Sequence, residues 1–412
     1  MAVDATATAA ADSPSGPDAG SAVRPPLVLS DASGLPAEEL DDMFAPYARR
    51  DAYGPMGRGP LPAAEAARLA LIAVVLVPLR FVAGMLVLLA YYLVCRACTL
   101  GVAGAEEGGR FRLSGWRRDA VLSSGRALSR AMLFVFGFYW IRETYRGLPN
   151  AEDVHQDQSE KLERPGAVVS NHVSYVDILY HMSASFPSFV AKNSVSRLPL
   201  VGIISKCLGC IFVQRESKAS DSQGVSGAVT ERVQEVCQDK NSPMMLLFPE
   251  GTTTNGDYLL PFKTGAFLAG APVQPVILRY PYKRFSPAWD SMDGGGTMLE
   301  MSERSVSWDL EEGGEWGCYG AVTTMTLGGW QTRELWEGMA SRLPRREVVR
   351  LPVYYPSKQE KDDPKLYANN VRKLIATEGN LILSSLGLAD KRVYHAALNG
   401  NSPPGSKHQK DD

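Results

Sequence analysis

Residues 168–177 have the sequence Val-Val-Ser-Asn-His-Val-Ser-Tyr-Val-Asp, and this stretch decides the fold. The apolar residues before Asn171 predict a buried strand that ends at Asn171 and His172. Ser174 suits the N-cap of a following helix, because Asp177 stands three residues later, at capping-box spacing. The pattern therefore places His172 in a short loop between strand and helix, and Asp177 in the first helical turn.

This loop matters because it lets the His172 imidazole meet the Asp177 carboxylate. On one continuous helix, side chains five positions apart diverge by about 140°. A histidine held by a carboxylate has a fixed tautomer and can serve as a general base. The structural alternative is that His172 is only a turn residue and Asp177 only a helix cap.

The composition is that of a globular chain without a basic excess. Its 412 residues allow two domains, or one large domain with appendages, and 45% of them are hydrophobic. The formal net charge of −2 predicts no nucleic-acid partner, because neutralising phosphates requires a basic excess. The five histidines are scattered along the chain, so we expect no metal site and no bound cofactor.

Four of the six cysteines form two Cys-x-x-Cys pairs, Cys95 with Cys98 and Cys207 with Cys210. Two such pairs are typical of zinc sites. However, over a hundred residues separate them, the first pair ends an apolar segment, and the second lies in a predicted buried strand. No secretory signal or glycosylation acceptor is found, so we expect reduced thiols in a protein that faces the cytosol.

Both ends of the chain are predicted to lack packed structure. Residues 1–60 are rich in Ala, Pro, Gly, Ser and Asp and have few large apolar groups. Burial cannot offset the ordering entropy of such a segment, so we expect it to be disordered. Residues 401–412 are polar and are predicted to form a loose tail.

A long apolar segment runs from Leu69 to Cys95 and contains Pro78 and Arg80. As one helix it reaches about 40 Å, enough to cross a bilayer. Arg80 near mid-depth then costs about 2.5–3.5 kcal/mol. As a membrane-embedded hairpin bent at Pro78, both arms enter one leaflet and Arg80 stays near solvent. Basic residues on both flanks favour the hairpin, and a buried soluble helix is the third interpretation.

A second apolar run, residues 131–141, is short and aromatic. Arginines on both sides suit an element at the membrane interface, and packing into the core explains the pattern equally well. Because both apolar segments fall within residues 61–145, we predict that this range is a membrane-associating region.

From Pro165 to about Tyr282, predicted strands alternate with predicted helices. The strands are 167–170, 188–191, 210–214, 244–248 and 273–279, and the helices are 175–185, 222–239 and 263–270. Such alternation predicts an α/β fold with a largely parallel or mixed sheet flanked by helices. Asp363 and Pro364 then suit the N-cap and first position of a helix that reaches about Leu386.

Three more motifs stand in or after predicted strands. Arg215 ends the strand of Gly209–Arg215, where its guanidinium suits a phosphate. Strand 244–248 runs into Pro-Glu-Gly-Thr at 249–252, where glycine allows close backbone approach and threonine offers a hydroxyl. The last motif, Val273–Ile277, contains a proline that indicates an edge strand or a bulge.

Taken in this order, the four blocks resemble the glycerolipid acyltransferase superfamily. The blocks are Asn171-His172 with Asp177, then Gly209–Arg215, Phe248–Thr252 and Val273–Ile277. The wider text, including FAPYARR at 44–50 and LFPEGTTTNGDYLLPFKTGAFLAG at 247–270, is similar to the plant lysophosphatidylethanolamine acyltransferases that lack EF-hands. The resemblance covers about residues 41–292 and 347–400.

The resemblance implies an O-acyltransferase that moves a fatty acyl group from acyl-CoA, its co-substrate, to the free hydroxyl of lysophosphatidylethanolamine or a related lysophospholipid. It implies that His172, oriented by Asp177, is the general base. The residues expected to bind the acceptor are Arg215, Glu250, Gly251 and Thr252. It also implies a protein of the endoplasmic reticulum membrane whose active site faces the cytosol. A lipase or thioesterase is disfavoured, because the sequence has no Gly-x-Ser-x-Gly elbow.

The resemblance assigns residues 146–292 to the acyltransferase core and 347–400 to its C-terminal part. Residues 293–346 depart from the family pattern, with a glycine-rich run and four of the seven tryptophans, and we expect disorder there. This departure leaves open a catalytically impaired lipid-binding protein. Acylation of lysophosphatidate or glycerol 3-phosphate is the other alternative, because no single residue specifies the headgroup.

Overall fold

A five-stranded mixed sheet organises the chain. The structure, a computed structural model, describes residues 35–51, 54–55, 60, 62–102, 106–107, 110–111, 113–147, 164–213, 221–239, 241–281, 286, 288 and 346–399. The helices are α1 (Ala37–Met43), α2 (Ala63–Thr99), α3 (Gly115–Val135), α4 (Val176–Ala184), α5 (Val201–Cys207), α6 (Asp221–Gln238), α7 (Lys358–Asp362), α8 (Pro364–Gly379) and α9 (Leu388–Asn399). The strands are β1 (Arg50–Asp51), β2 (Gly54–Pro55), β3 (Glu106–Glu107), β4 (Arg110–Phe111), β5 (Ile141–Tyr145), β6 (Ala167–Ser170), β7 (Val190–Lys192), β8 (Ile211–Val213), β9 (Met245–Leu247), β10 (Tyr258–Leu259), β11 (Val273–Arg279), β12 (Arg346–Arg350) and β13 (Ile382–Leu383).

The strand order in the central sheet is β5-β12-β11-β6-β9. Strand β6 is parallel to both of its neighbours, with Ala167 opposite Val273 on β11 and opposite Met245 on β9. Strand β12 is antiparallel to β11 and parallel to β5, which makes the sheet mixed. Because β6 and β9 are parallel neighbours, the loops that follow them lie at the same edge of the sheet.

Both faces of the sheet are buried, which explains the nearly continuous apolar runs of its strands. Side chains alternate along a strand, so Val168 points to one face while Ala167 and Val169 point to the other. The first face packs against helices α2 to α5, and the second packs against α6 and α8. The predicted α/β class with a mixed sheet flanked by helices is therefore confirmed.

The predicted strands 167–170 and 273–279 match β6 and β11, and the other three predicted strands agree with β7, β8 and β9 within two residues. Strands β5 and β12 were not predicted. Each is an edge or near-edge strand whose pairing partner is distant in sequence, so local patterning does not reveal it.

Predictions for three helical segments are corrected. The expected helix at 263–270 is only a 3₁₀ turn at Thr264–Ala266, and the glycine at 270 adopts φ +58°. The helix capped by Asp363 begins as predicted but ends at Gly379 rather than near Leu386, because Asn380 is left-handed at φ 49°. A 3₁₀ turn at Asn193–Arg197 and helix α5 occupy a stretch for which no helix was predicted.

The predicted hairpin within residues 69–95 is wrong. Pro78 lies inside the continuous 37-residue helix α2, since proline removes one hydrogen bond without reversing the chain. Arg80 is not near solvent but buried, and it donates a 2.9 Å hydrogen bond to the hydroxyl of Tyr139. The helical hairpin of the structure is instead formed by α2 packed against α3.

One side of α2 presents large apolar residues to the surroundings. The exposed ones are Leu71, Val74, Val75, Leu79, Phe81, Val82, Leu86, Leu89 and Leu93. The stretch Val74–Thr99 has a mean hydropathy of 2.2, and in the described part of the chain it is the one helical segment long and apolar enough to cross a membrane. Residues 131–141 are mixed: Met132, Leu133 and Phe138 are buried, whereas Phe134 and Trp140 are exposed.

The prediction of disorder over residues 1–60 is wrong for residues 35–51. Helix α1 and the segment after it pack on α9, and Phe44, Tyr47 and Ala48 are buried with Tyr394. The physical reason is that the few large side chains of this segment find an apolar partner surface that composition cannot reveal. The predictions for residues 1–34, for 293–345 and for the tail 401–412 lie outside the described residues.

Candidate active site

The site begins where β6 ends, and Asn171 joins that end to the neighbouring strand. Its side-chain amide donates to the carbonyl of Leu278 at 3.0 Å and its oxygen accepts the Leu278 amide at 2.8 Å. This fully buried side chain therefore continues the β6–β11 ladder after the strand stops. The loop that carries His172 is fixed to the sheet as a result.

The imidazole and carboxylate predicted to meet do so. His172 Nδ1 lies 2.9 Å from Asp177 Oδ2, and both residues are buried. The same oxygen accepts the backbone amides of Val173 and Ser174 at 2.8 and 2.9 Å. An anionic carboxylate that accepts three hydrogen bonds at one oxygen favours the tautomer of His172 with its proton on Nδ1.

The predicted N-cap is corrected. Helix α4 begins at Val176, after Tyr175, and among the described residues the Ser174 hydroxyl has no hydrogen-bond partner. Asp177 instead reaches back to two amides before the helix, which is half of a capping box. The cap and the orientation of His172 therefore depend on the same carboxylate.

Phe248 supports the other side of the imidazole. The two rings are stacked, with centroids 4.1 Å apart and planes inclined by 16°. Phe248 ends the strand segment that leads into the Pro-Glu-Gly sequence, so the first and third blocks meet in space. The ring of His172 is thus held by Asp177 at its edge and by Phe248 at its face.

Glu250 connects the histidine loop to the segment after β10. Its Oε1 accepts the amide of His172 and its Oε2 accepts the amide of Leu260, both at 2.9 Å. Glu250 is only 3% exposed, and its two carboxyl oxygens hold the backbone at His172 and Leu260 in place. Burial raises the pKa of Glu250 to about 8, although these two amides and the charge of Arg372 oppose the shift.

We expect Glu250 to make stability depend on pH. The folded carboxyl holds its proton up to about pH 8, while the unfolded one loses it near its ordinary pKa of 4.5. The folded state is therefore favoured at acidic pH, and this contribution is lost as the pH rises from 4.5 to about 8. The Tm of the wild type should fall over this range more steeply than that of Glu250→Gln. Glu39→Gln, at an exposed position of α1, is the control, and parallel Tm curves for wild type and Glu250→Gln would contradict the prediction.

The hydroxyl groups of the three threonines after Gly251 are not equally available to a substrate. Gly251 has φ +73°, and it closes the turn by donating to the Phe248 carbonyl at 3.1 Å. Thr253 and Thr254 are buried with their hydroxyls hydrogen-bonded, to Lys391 and to the carbonyl of Tyr258 respectively. Thr252 is half-buried, and within the described ranges its hydroxyl has no hydrogen bond, so it is the one suited to a substrate.

The sequence relatives of this chain are acyltransferases. Residues 150–279 match the family model described as Acyltransferase. The chain is 53% identical to the lysophospholipid acyltransferase LPEAT1 of Arabidopsis thaliana, over 94% of this chain and 95% of that protein. This chain belongs to the lysophospholipid acyltransferase family. The human lysophosphatidylcholine acyltransferase 2 is 27% identical over 86% of this chain, which spans 53% of that longer protein. A crystal structure of the 1-acyl-sn-glycerophosphate acyltransferase PlsC from Thermotoga maritima matches 74% of the chain and 100% of its own, with 19% identity and a TM-score of 0.36.

In this acyltransferase an N-terminal segment and helix α9 hold the loop of residues 252–255. The side-chain amide of Asn255 donates to the carbonyls of Ala45 and Ala48 at 2.8 and 2.9 Å. Lys391, a buried residue of α9, donates from Nζ to the carbonyl and the hydroxyl of Thr253 at 3.1 and 2.9 Å. Its ammonium also lies 5.7 Å from the centre of the Tyr47 ring. Two segments, one more than 200 residues before the loop and one 138 residues after it, thus fix its position.

We expect Lys391→Met to loosen this loop while preserving the apolar stem of the side chain. Two charge-assisted hydrogen bonds are lost, and each contributes about 1.5–3 kcal/mol. The KM for the acceptor should rise about 3- to 10-fold and the Tm should fall. Lys365→Met, at an exposed position of α8, is the matched control. A variant with unchanged acceptor KM would show that the loop does not need the lysine.

Arg215 lies outside the described residues, in the stretch 214–220. The start of its block is well anchored. The buried Arg232 of α6 donates to the carbonyl of Gly209 at 2.8 Å, and a Cβ on Gly209 would lie 2.7 Å from the same guanidinium nitrogen. A glycine is therefore required at 209, where φ is +69°.

The two cysteine pairs meet in space despite their separation in sequence. Helix α2, which carries Cys95 and Cys98, packs against α5, and Cys207 at the end of α5 packs against the apolar cluster that contains Cys95. Sequence separation was therefore no argument against their proximity. In the part of the chain with described coordinates, no group of three or more His, Cys, Asp or Glu residues is arranged to hold a metal ion.

The site contains residues that sequence reasoning did not identify. They are Tyr280, which donates to Asp177, together with Asn171 as a connector, Phe248 as a ring support and Lys391. Tyr280 had a recognisable signal, because it follows a predicted strand, and side chains after parallel strands lie at the edge where α/β sites form. Lys391 had none, because it is one of several charged residues on a terminal helix.

Proposed function

We propose that this acyltransferase moves a fatty acyl group from acyl-CoA to the free hydroxyl of a lysophospholipid, with lysophosphatidylethanolamine as the preferred acceptor. The observation that carries the proposal is the 2.9 Å contact between His172 and Asp177 at the end of β6, braced by Glu250 of the Pro-Glu-Gly loop. The name of the 53% identical relative supports a lysophospholipid acceptor. No metal or bound cofactor is needed for the step, with acyl-CoA acting as co-substrate.

In the proposed step, neutral His172 acts through Nε2 while its Nδ1 proton stays on the Asp177 side. Nε2 takes the proton of the acceptor hydroxyl as the oxygen attacks the thioester carbonyl. The carbon–sulfur bond then breaks, and the imidazolium returns the proton to the departing CoA thiolate. A thiolate leaves readily, so no covalent acyl-enzyme is required.

The remaining predicted residues are assigned to the acceptor. The half-buried Thr252, beside the turn of Gly251, is proposed to contribute its hydroxyl to acceptor binding, and Gly251 a backbone without side-chain bulk. Arg215 is proposed to bind the acceptor phosphate with its guanidinium. Glu250 is proposed to act through the His172 backbone that it braces, rather than by contact with phosphate.

For Arg215→Ala we expect an acceptor KM raised about 10- to 100-fold with little change in the acyl-CoA KM, since removing a phosphate contact weakens acceptor binding in ground and transition state alike. Initial-rate kinetics with each substrate varied in turn will measure both constants. Arg279→Ala, at the half-buried end of β11, is the control for loss of an arginine. A raised KM for acyl-CoA instead would reject the assignment.

We further propose that α2 attaches the protein to the cytosolic side of the endoplasmic reticulum membrane. Support comes from its exposed leucines and valines and from the hydropathy of Val74–Thr99. An apolar cavity between α2, α3, α4 and α5, lined by residues such as Tyr91, Met132, Met182 and Leu208, suits an acyl chain close to that membrane. Flotation with liposomes, before and after Leu86→Glu and Leu93→Glu, tests the attachment.

The test of the function is thiol release from acyl-CoA across a panel of acceptors. The panel contains lysophosphatidylethanolamine, lysophosphatidylcholine, lysophosphatidate and glycerol 3-phosphate, with a control that lacks acceptor. Release with lysophosphatidylethanolamine above the other acceptors supports the proposal. Release without acceptor indicates a thioesterase, release preferring lysophosphatidate or glycerol 3-phosphate rejects the headgroup, and binding of lipid without release indicates a lipid-binding protein.

A further inference from the structure

The carboxylate of Asp177 accepts hydrogen bonds at both oxygens, and the two sets of donors differ in origin. Oδ2 accepts from three donors of its own loop, which are His172, Val173 and Ser174. Oδ1 accepts the hydroxyl of Tyr280, which is 103 residues away in sequence. Because the phenol holds the second oxygen, it opposes rotation of the carboxylate about Oδ2.

Tyr280 is itself well placed by the sheet. It follows the last residue of β11, and the neighbouring Leu278 is paired in both directions with the Asn171 side chain. The Tyr280 ring is 9% exposed and packs edge-on against Phe138, with centroids 6.1 Å apart. The height of the phenol relative to Asp177 is therefore set by the β6–β11 register and not by the histidine loop.

We propose that Tyr280 is a positioning residue for acyl transfer, which holds Asp177 through Oδ1 so that Oδ2 stays aimed at His172 Nδ1. This inference rests on the proposed general-base role of His172. The phenol has a second effect: it withdraws charge from the carboxylate, and a less basic carboxylate stabilises the imidazolium less.

The titratable groups around the imidazole come from several elements. Asp177 and His181 belong to α4, with His181 in edge contact with the Phe248 ring that stacks on His172. Tyr280 follows β11, and Glu250 contacts the His172 backbone from the loop after β9, with Arg372 of α8 behind it. Of the titratable groups in the described ranges, Asp177 is the one that hydrogen-bonds to His172 Nδ1, so a change in its charge should act on the imidazole more strongly than a change in the others.

Tyr280→Phe preserves the ring and removes the hydroxyl. We expect kcat to fall about 5- to 20-fold with the acceptor KM nearly unchanged, since the bond orients the base and does not touch substrate. We also expect the acidic limb of the kcat/KM profile to move up by about 0.5–1 pH unit, because Asp177 without the phenol stabilises the imidazolium more. The matched control is Tyr354→Phe. It removes a 2.5 Å phenol–carboxylate hydrogen bond to Glu360, which lies outside the site, and should leave the rate and the pH profile unchanged.

A second substitution tests the inference in the opposite direction. Replacing Tyr280 with 3-fluorotyrosine retains the hydroxyl and makes it a stronger donor, so the acidic limb should move to lower pH. Opposite shifts for the two substitutions support the proposal. A folded Tyr280→Phe variant with wild-type kcat and a wild-type pH profile overturns the proposal. The proposal also fails if Tm and activity fall but neither substitution moves the acidic limb, because that outcome indicates that Tyr280 acts through packing alone. His172→Ala assayed in parallel separates the test of the general base from the test of Tyr280. If His172→Ala stays active, the proposed mechanism fails whatever the Tyr280 variants show.

Discussion

Replacing His172 with alanine is expected to lower kcat for acyl transfer by about 10³-fold or more, at the upper part of the range seen for removal of a general base. Asp177 hydrogen-bonds to the edge of this imidazole and Phe248 stacks on its face, beside the Pro-Glu-Gly loop. Thiol release from acyl-CoA with saturating acceptor measures the effect. The Tm measured in parallel separates loss of the base from loss of the fold, because His172 is buried.

His172→Gln sharpens this prediction because glutamine retains hydrogen-bonding capacity toward Asp177 but cannot accept a proton at neutral pH. Equal losses in the alanine and glutamine variants identify base catalysis. Partial rescue of the alanine variant by added imidazole, stronger at higher pH, gives independent support. A loss of about 10²-fold or less in both variants, with no rescue, would show that the histidine is not the base.

Asp177→Asn is expected to lower kcat by about 10³-fold, by a different route. Among the described residues, this fully buried side chain accepts hydrogen bonds from two amides, one imidazole nitrogen and one phenol. An amide side chain has a single acceptor oxygen, so its NH₂ must face at least one of these donors. His172 then loses the partner that fixes its tautomer, as in other histidine–aspartate pairs.

The control for Asp177→Asn is Glu360→Gln. Glu360 is also buried and accepts from three donors, Tyr354, Ser357 and Asn370, but it caps α7 far from the histidine loop. This variant should lose stability while its specific activity per folded molecule is retained. If Asp177→Asn retained activity within about 10-fold of wild type after the same correction for folding, the carboxylate would be a helix cap and nothing more.

The core of the site could be predicted because its information is local. A strand that stops at Asn171, a loop and a helix that starts near Asp177 are all recognisable from patterning over ten residues. The same applies to Glu250 and Gly251, which follow a buried strand at a Pro-Glu-Gly turn. Because parallel strands β6 and β9 are neighbours, two locally predicted loops become adjacent without further specification.

The incorrect predictions share a physical cause, which is that they depended on a partner surface. Disorder of the N-terminal segment was predicted from composition, but residues 35–51 fold because α9 buries Phe44 and Tyr47. The bend at Pro78 was predicted from one residue, but α2 stays continuous where α3 packs against it and Tyr139 binds Arg80. Distance in sequence likewise hid the packing of Cys207 against the apolar cluster that contains Cys95.

The α/β class, the four blocks and the proximity of His172 and Asp177 follow from the sequence alone, because each is encoded in a short run of apolar, turn and polar residues. Only the tertiary structure decided what holds that pair in place. Tyr280, Lys391 and the Leu278 backbone that holds Asn171 lie 100 to 140 residues from their partners in the site, and strand register and helix docking bring them there. Such contacts follow from how buried surfaces fit together, and no local pattern specifies that fit.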